Sequence, residues 1–245
     1  MKRSLCAGAV LMVFVLFGAA SAEARSRRGG PYGRPGYDRY GADQSFRLRL
    51  GMFTPDGEKS FFEDTARDFT GDPQDFEDVV GGVDYIFGMQ RTFGLMLSAD
   101  YFEGQQDQSY RDFVDNRGNR ITHTTTLEIT PITAGIVVKV APEDSPIVPY
   151  VGAGGGIYAW RYREAGDFID FGANREVFSD TLEDTGAALG YYVMAGLEVP
   201  LSSYFSFLAE ARWDRADDEL GGDFADLGVI DLSGRRVTGG LAWHF

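Results

Sequence analysis

The chain has one cysteine, Cys6, and two histidines, His123 and His244, in 245 residues. A lone cysteine excludes an internal disulfide and a thiolate metal cage, and its place in the first apolar run leaves the rest without a cysteine nucleophile. Two histidines exclude a multi-histidine metal site. Positive charge is also scarce: Lys+Arg number 23 against 37 Asp+Glu, a formal net of -14. A nucleic-acid binder needs a basic footprint, so no nucleic-acid partner is expected. Beyond the first 20 residues no apolar run suits a membrane-crossing helix. What is present is 44% hydrophobic residues, 14% aromatics and 32 glycines. That is too apolar for a disordered chain, and the length suits one barrel-sized domain or two small ones.

The first 24 residues read as a secretory signal peptide. Lys2 and Arg3 precede an apolar stretch from Leu5 to Phe17, and Ser21-Ala22-Glu23-Ala24 offers small residues for cleavage after 22 or after 24. The alternative, a retained anchor, has a short apolar run against it. Cys6 stands at the start of the apolar stretch rather than after it, which argues against a lipoprotein. Residues 25–44, RSRRGGPYGRPGYDRYGADQ, show no hydrophobic period and read as a periplasmic linker rich in Gly, Pro, Arg and Tyr. Its arginines Arg25, Arg27, Arg28, Arg34 and Arg39 suit either a solvated tail or contact with anionic polymers.

Residues 45–245 have a period of two. Phe46, Leu48, Leu50 and Met52 alternate with Arg47, Arg49 and Gly51; Val79, Val83, Tyr85 and Phe87 with Gly82 and Asp84; Leu95, Leu97, Ala99 and Tyr101 with Gly94, Ser98 and Asp100. The same alternation recurs at 132–139, 150–158, 189–199, 205–213 and 236–245. Each segment carries one apolar face and one of Gly, Ser, Thr and charge, as half-buried strands do. Transmembrane strands need about 9–11 residues, close to most of these runs. Leu127 and Ile129 lie in the other phase from the apolar face beyond Pro131, so a bulge is expected at the proline. Connections near 88–92, 141–147 and 200–204 are short; those near 55–78, 104–123, 164–185 and 216–232 are long.

This is the pattern of an eight-stranded, antiparallel, up-and-down transmembrane β-barrel, an all-β fold. It places both chain ends at the short-turn, periplasmic side. A soluble lipocalin-like barrel would instead turn the apolar faces inward around a ligand. Aromatics near strand ends, Phe46, Phe53, Tyr85, Phe87, Phe93, Tyr101, Tyr204, Phe205, Trp213 and Trp243, resemble interfacial girdles and favour the membrane. The polar faces carry Arg47, Arg49, Asp84, Asp100, Lys139, Glu198, Glu210, Arg212 and Arg236. An eight-stranded lumen is just wide enough to be filled by side chains, so these charges are expected to pair inside it.

The last residues, Thr238-Gly239-Gly240-Leu241-Ala242-Trp243-His244-Phe245, resemble the terminal assembly signal of outer-membrane barrels, with Thr238, Gly240, Trp243 and Phe245 in its places. Pro149–Gly156 and Ala195–Leu201 resemble strands of small barrels of the OmpA/OmpX type. The likeness spans 45–245 and lacks that family's peptidoglycan-binding domain. It implies a bacterial outer-membrane protein whose partners are outer-membrane lipid and lipopolysaccharide, the barrel-assembly machinery and an extracellular ligand.

No residue set announces chemistry. The first long connection holds Asp56, Glu58, Glu63, Asp64, Asp68, Asp72, Asp75, Glu77 and Asp78, and the last holds Asp217, Asp218, Glu219, Asp223 and Asp226. Such acids suit loosely bound divalent cations or plain solvated loops, and their spacing matches no EF-hand. Phe61, Phe62, Phe69, Phe76, Phe168, Phe171 and Phe178 suit either an exposed contact surface or loop-on-loop packing. His123 near Ser109 is the one rim candidate for a hydrolase, without a positioned nucleophile. The expectation is therefore no enzyme, no cofactor and no metal, with a structural or surface-interaction role through acidic, aromatic loops. The alternatives are a narrow passive channel, a lipid-modifying enzyme and a soluble carrier.

Overall fold

The structure, a computed structural model, describes residues 44–57, 61, 62, 65, 69–90, 92–114, 118–141, 145–170, 176–225 and 227–245. The expected signal peptide and nearly all of the linker lie outside them, as do Glu58, Glu63, Asp64, Asp68, Asp226 and Phe171. Among the described residues nine strands form one antiparallel sheet. They are β1 (Gln44–Pro55), β2 (Asp78–Gln90), β3 (Phe93–Val114), β4 (Arg120–Lys139), β5 (Val148–Asp170), β6 (Glu176–Pro200), β7 (Phe205–Glu219), β8 (Val229–Asp231) and β9 (Gly234–His244). Each strand from β1 to β7 pairs with the next in sequence, and β9 closes the ring between β7 and β1. Eight strands thus make an up-and-down barrel. The three residues of β8 only extend the tip of β7, through Asp217↔Asp231 to Glu219↔Val229.

Closure puts the chain ends together. Ser45 pairs with His244, and the Phe245 N–H donates to the Gln44 carbonyl at 3.1 Å. The short connections lie at this same end: the Lys139 N–H donates to the Thr92 carbonyl, and the His244 N–H to that of Tyr204. Toward this end the expected apolar faces point outward. Leu50 is 64% exposed, Leu189 83%, Phe207 52% and Val237 67%. Their strand neighbours Arg49, Leu208 and Arg236 are buried. So much bare apolar surface is what lipid covers. Among the described residues no helix is long and apolar enough to cross a membrane; the crossing is made by strands.

Two expectations about the far half fail for one reason. The connections read near 104–123 and 164–185 are mostly strand: β3 runs to Val114 and β4 starts at Arg120, while β5 runs to Asp170 and β6 starts at Glu176. Nor is there a bulge at Pro131. The β3–β4 ladder passes from Ala99↔Ile132 to Phe102↔Ile129 in unchanged register, omitting only the pairs opposite the proline, which has no N–H to donate. The β4–β5 ladder is continuous from His123 to Lys139. Leu127 and Ile129 face inward, in step with Thr133. The backbone does not shift phase; the solvent outside changes.

Above that level the interior is an apolar core. Phe53, Phe102, Leu127, Tyr158, Trp160, Tyr162, Ala216, Ile230 and Leu232 pack together with Phe61, Phe62 and Phe76 of the first long connection and Phe224 of the last. Phe61 lies 5.0 Å from Tyr162 and Phe224 5.2 Å from it, centroid to centroid and nearly perpendicular. The aromatics of the first connection therefore plug the mouth and do not form an exposed surface; of the later ones, Phe168 is buried and Phe178 exposed. Phe53, placed above in the girdle, is buried against Phe102 because it falls on the inward phase of β1. A void of about 10 Å³ between Phe53, Ile129, Pro131, Tyr158 and Arg236 has room for one water molecule at most.

Candidate functional site: a charged lumen under an apolar cap

Inward-facing positions of β1, β2, β3, β6, β7 and β9 bring charge into the barrel because the outward positions are committed to lipid. Arg49 is the hub. Its Nε donates to Asp84 Oδ2 at 2.8 Å, and its Nη2 to Asp84 Oδ1 at 2.6 Å and Asp100 Oδ1 at 2.8 Å. Its Nη1 donates to Glu210 Oε1 at 3.4 Å. Asp100 Oδ2 also lies 2.8 Å from Arg236 Nη1 and 3.5 Å from Arg212 Nη1. Both of these arginines donate through Nε to Asp214, at 2.9 and 3.0 Å. Nearer the short-turn end Arg47 Nη2 donates to Glu198 Oε2 at 3.2 Å, and His244 Nε2 lies 3.1 Å from Glu198 Oε1 and 3.0 Å from Ser206 Oγ.

Four guanidinium groups thus face five carboxylates, all buried. Unpaired, each would be strongly unfavourable away from water; interlocked, every charge has an opposite charge beside it, while Arg47 Nε and Nη1 find no hydrogen-bond partner among the described residues. Tyrosines complete the set. Tyr150 donates to Glu210 at 3.0 Å, Tyr158 to Asp214 at 2.7 Å, and the Arg212 guanidinium lies 3.6 Å over the Tyr192 ring. Glycine makes the room. A Cβ on Gly82 would fall 1.8 Å from Asp100 Oδ1, and one on Gly135 would meet the Tyr192 hydroxyl at 2.3 Å.

Of the sequence-predicted lumen residues, Arg47, Arg49, Asp84, Asp100, Glu198, Glu210, Arg212 and Arg236 come together. Lys139 is half-buried at the short-turn end of β4. Asp214 was missed, although it lies two residues after Arg212 on the same strand face and ties two arginines together. Thr238 and Gly240 face inward on β9, where a Gly240 Cβ would lie 2.3 Å from the Leu48 carbonyl oxygen. Trp243 and Phe245 are exposed at the short-turn rim, their rings 5.2 Å apart.

The long-loop end has different chemistry. Outside, beyond Tyr101 and Trp213, the faces turn polar: Arg161 reaches Glu128 and Glu183, and Arg215 and Arg235 both reach Asp56. Inside, beyond the apolar core, His123 is 2% exposed, wedged between Phe69 at 4.7 Å and Phe168 at 5.4 Å. Among the described residues neither ring nitrogen has a hydrogen-bond partner, and burial holds its pKa down to about 4. Ser109 does not meet it; its hydroxyl pairs with Thr70 at 2.9 Å. The two candidates for hydrolysis are not joined, and among the described residues no group of three or more His, Cys, Asp or Glu gathers for a metal.

The family model for the outer membrane protein beta-barrel domain matches residues 9–245. The chain belongs to this outer-membrane barrel family. Among solved structures it is similar to the outer membrane protein OprG from Pseudomonas aeruginosa, at 14% identity and a TM-score of 0.50 over 84% of this chain and 98% of that one. It is also similar to Neisserial surface protein A, at 10% identity and a TM-score of 0.46 over 82% and 96%. A third is Ail, the attachment invasion locus protein of Yersinia pestis, in complex with the heparin analogue sucrose octasulfate, at 14% identity and a TM-score of 0.38 over 83% and 99%. No curated protein matches. The outward apolar band is accordingly lipid-facing, and the protein is one of the bacterial outer membrane.

Proposed function

We propose that this barrel is a closed, rigid support that carries an interaction surface at its long-loop end, outside the cell, with both termini in the periplasm after removal of the signal peptide. The observation behind this reading is that the interior is filled twice over. The arginine–carboxylate network occupies the membrane level, and the Phe61–Tyr162–Phe224 cluster covers the mouth. A barrel so filled supports binding at its rim better than passage through its middle. That rim is acidic: Asp107, Asp112, Asp180, Glu183, Asp217, Glu219 and Asp223 are exposed. Its partners are then cationic or cation-bridged, including lipopolysaccharide phosphates joined through divalent ions. Thr238, Gly240, Trp243 and Phe245 are read as the signal to the assembly machinery, and the basic linker as a periplasmic tether. No enzymatic role is assigned.

Planar-bilayer recording separates this reading from a narrow passive channel. The closed barrel gives no steady conductance, and breaking the network with Asp100→Ala raises it. A steady current through the wild type establishes the channel instead. Protease or biotin labelling of intact cells checks the orientation, with labels expected on the long-loop end only.

A further inference from the structure

Between the apolar core and His123 lies a layer of buried oxygen atoms that the lumen network does not use. Glu164 on β5 is 6% exposed, and its carboxylate accepts one hydrogen bond, from the Tyr162 hydroxyl at 2.7 Å. The Thr125 hydroxyl faces the same phenol and is fully buried. The register sets Gln106, Thr125 and Glu164 side by side across β3, β4 and β5. Gln108 lies one inward step above Gln106 on β3, opposite His123. Both glutamine heads close on the backbone of Gly71, where a Cβ would lie 2.8 Å from Gln108 Nε2 and 3.2 Å from Gln106 Oε1. Among the described residues Gln106 Oε1 and Gln108 Oε1 are buried without a hydrogen-bond partner, and the Thr125 hydroxyl has only the Tyr162 phenol before it.

Buried oxygen acceptors gathered round a carboxylate call for positive charge, since each is unfavourable when left unsatisfied. No described side chain supplies it. Among the described residues no arginine or lysine pairs with Glu164, and burial keeps the imidazole of His123 neutral near pH 7. Carboxylate, amide carbonyl and hydroxyl oxygens are the ligands that hard cations take. We propose that Glu164, Gln106, Gln108 and Thr125 form an internal site for one hard cation, of the sodium or calcium kind, beneath the first long connection. This is not the acidic rim: the site holds a single carboxylate and is out of solvent. It stands whether or not the rim binds a partner. Bound there, the cation joins β3, β4 and β5 and seats Gly71 of the cap over them.

The test uses the full chain refolded in detergent micelles, stripped with EDTA into choline chloride, and titrated by calorimetry with calcium chloride or sodium chloride alone. The expected result is one saturable site per chain for one of the two ions. Its affinity falls at least tenfold in Glu164→Gln and severalfold in Gln106→Leu, and is unchanged in the rim variant Asp217→Asn/Asp223→Asn. The gel-mobility shift between boiled and unboiled samples verifies folding of every variant. Affinity also falls as pH drops, because protons compete for Glu164. Absence of a saturable site in the folded wild type, or equal binding by Glu164→Gln, overturns the proposal and assigns Glu164 as a protonated acid. Loss of binding in the rim variant alone assigns the cation to the rim.

Discussion

Two halves of one barrel obey opposite rules. At membrane level Ile132 of β4 faces outward, 58% exposed, while Thr133 beside it is buried at 3%. Four residues earlier on the same strand Glu128 faces outward and Leu127 is fully buried. The alternation of side chains is the same in both places; the medium outside is not. Lipid accepts apolar side chains and rejects charge, so charge goes inside and must pair. Water accepts charge, so apolar groups go inside and form the core of an ordinary soluble protein. The chain is inside-out below Tyr101 and Trp213 and right-way-round above them.

Breaking the lower half should have the largest effect. Asp100 meets three arginines, and Asp100→Ala leaves buried guanidinium groups short of a partner, a loss of about 3–5 kcal/mol. The urea midpoint of the gel-mobility shift in vesicles measures it; a change within error would show that the network is hydrated. In the upper half Phe61→Ala removes a cap ring packed on Tyr162 and Phe224 and should cost about 3 kcal/mol. That loss should appear as faster proteolysis of the first long connection, with the barrel's own midpoint nearly unmoved. If both variants lower one common midpoint equally, the halves are a single cooperative unit.

Acid sharpens the contrast further. His123 binds a proton near pH 6.5 when the cap is open and only near 4 when it is packed. The cap is therefore at full stability above pH 6.5 and loosens as pH falls from there toward 4. The amide protection factor at Phe69–Gly71, taken relative to the intrinsic exchange rate at each pH, should fall on acidification to pH 5, and His123→Phe should flatten that response. The smallest effect belongs to the outer rim: Arg161→Gln breaks a half-exposed pair and should shift stability by at most about 1 kcal/mol.

The lower half was legible in the sequence because lipid enforces a strict code. Apolar Leu48 and Leu50 beside Arg47 and Arg49 admit one arrangement once the outside is lipid, and Arg47, Arg49, Asp84, Asp100, Glu198, Glu210, Arg212 and Arg236 converge there. Asp214 belonged to the same code, two residues from Arg212, but it stands just past the alternating run at 205–213. The upper half was less legible because its code reverses without a break in the backbone. Leu127 and Ile129 look out of phase only to a reader who expects the lumen to stay polar, which is why Pro131 suggested a bulge. Thr122, with Thr181 and Glu183, sits on an alternating strand as in a soluble sheet, yet the polarity around it suggested loops. Nothing local showed that Phe61 and Phe62 turn into the mouth, since that depends on Tyr162 and Phe224, which are far away in sequence.

The reversal itself is open to direct measurement. Single cysteines placed along β4 in a Cys6→Ser background, at 123, 124, 127, 128, 132, 133, 136 and 137, can be spin-labelled and reconstituted in lipid bilayers. Accessibility to oxygen, which partitions into lipid, and to a water-soluble nickel chelate then maps the surroundings of each. The account predicts high oxygen access at 132 and 136, high chelate access at 124 and 128, and little of either at 123, 127, 133 and 137. Oxygen access at 127, or chelate access at 132, would place the boundary elsewhere and contradict the two-halves arrangement.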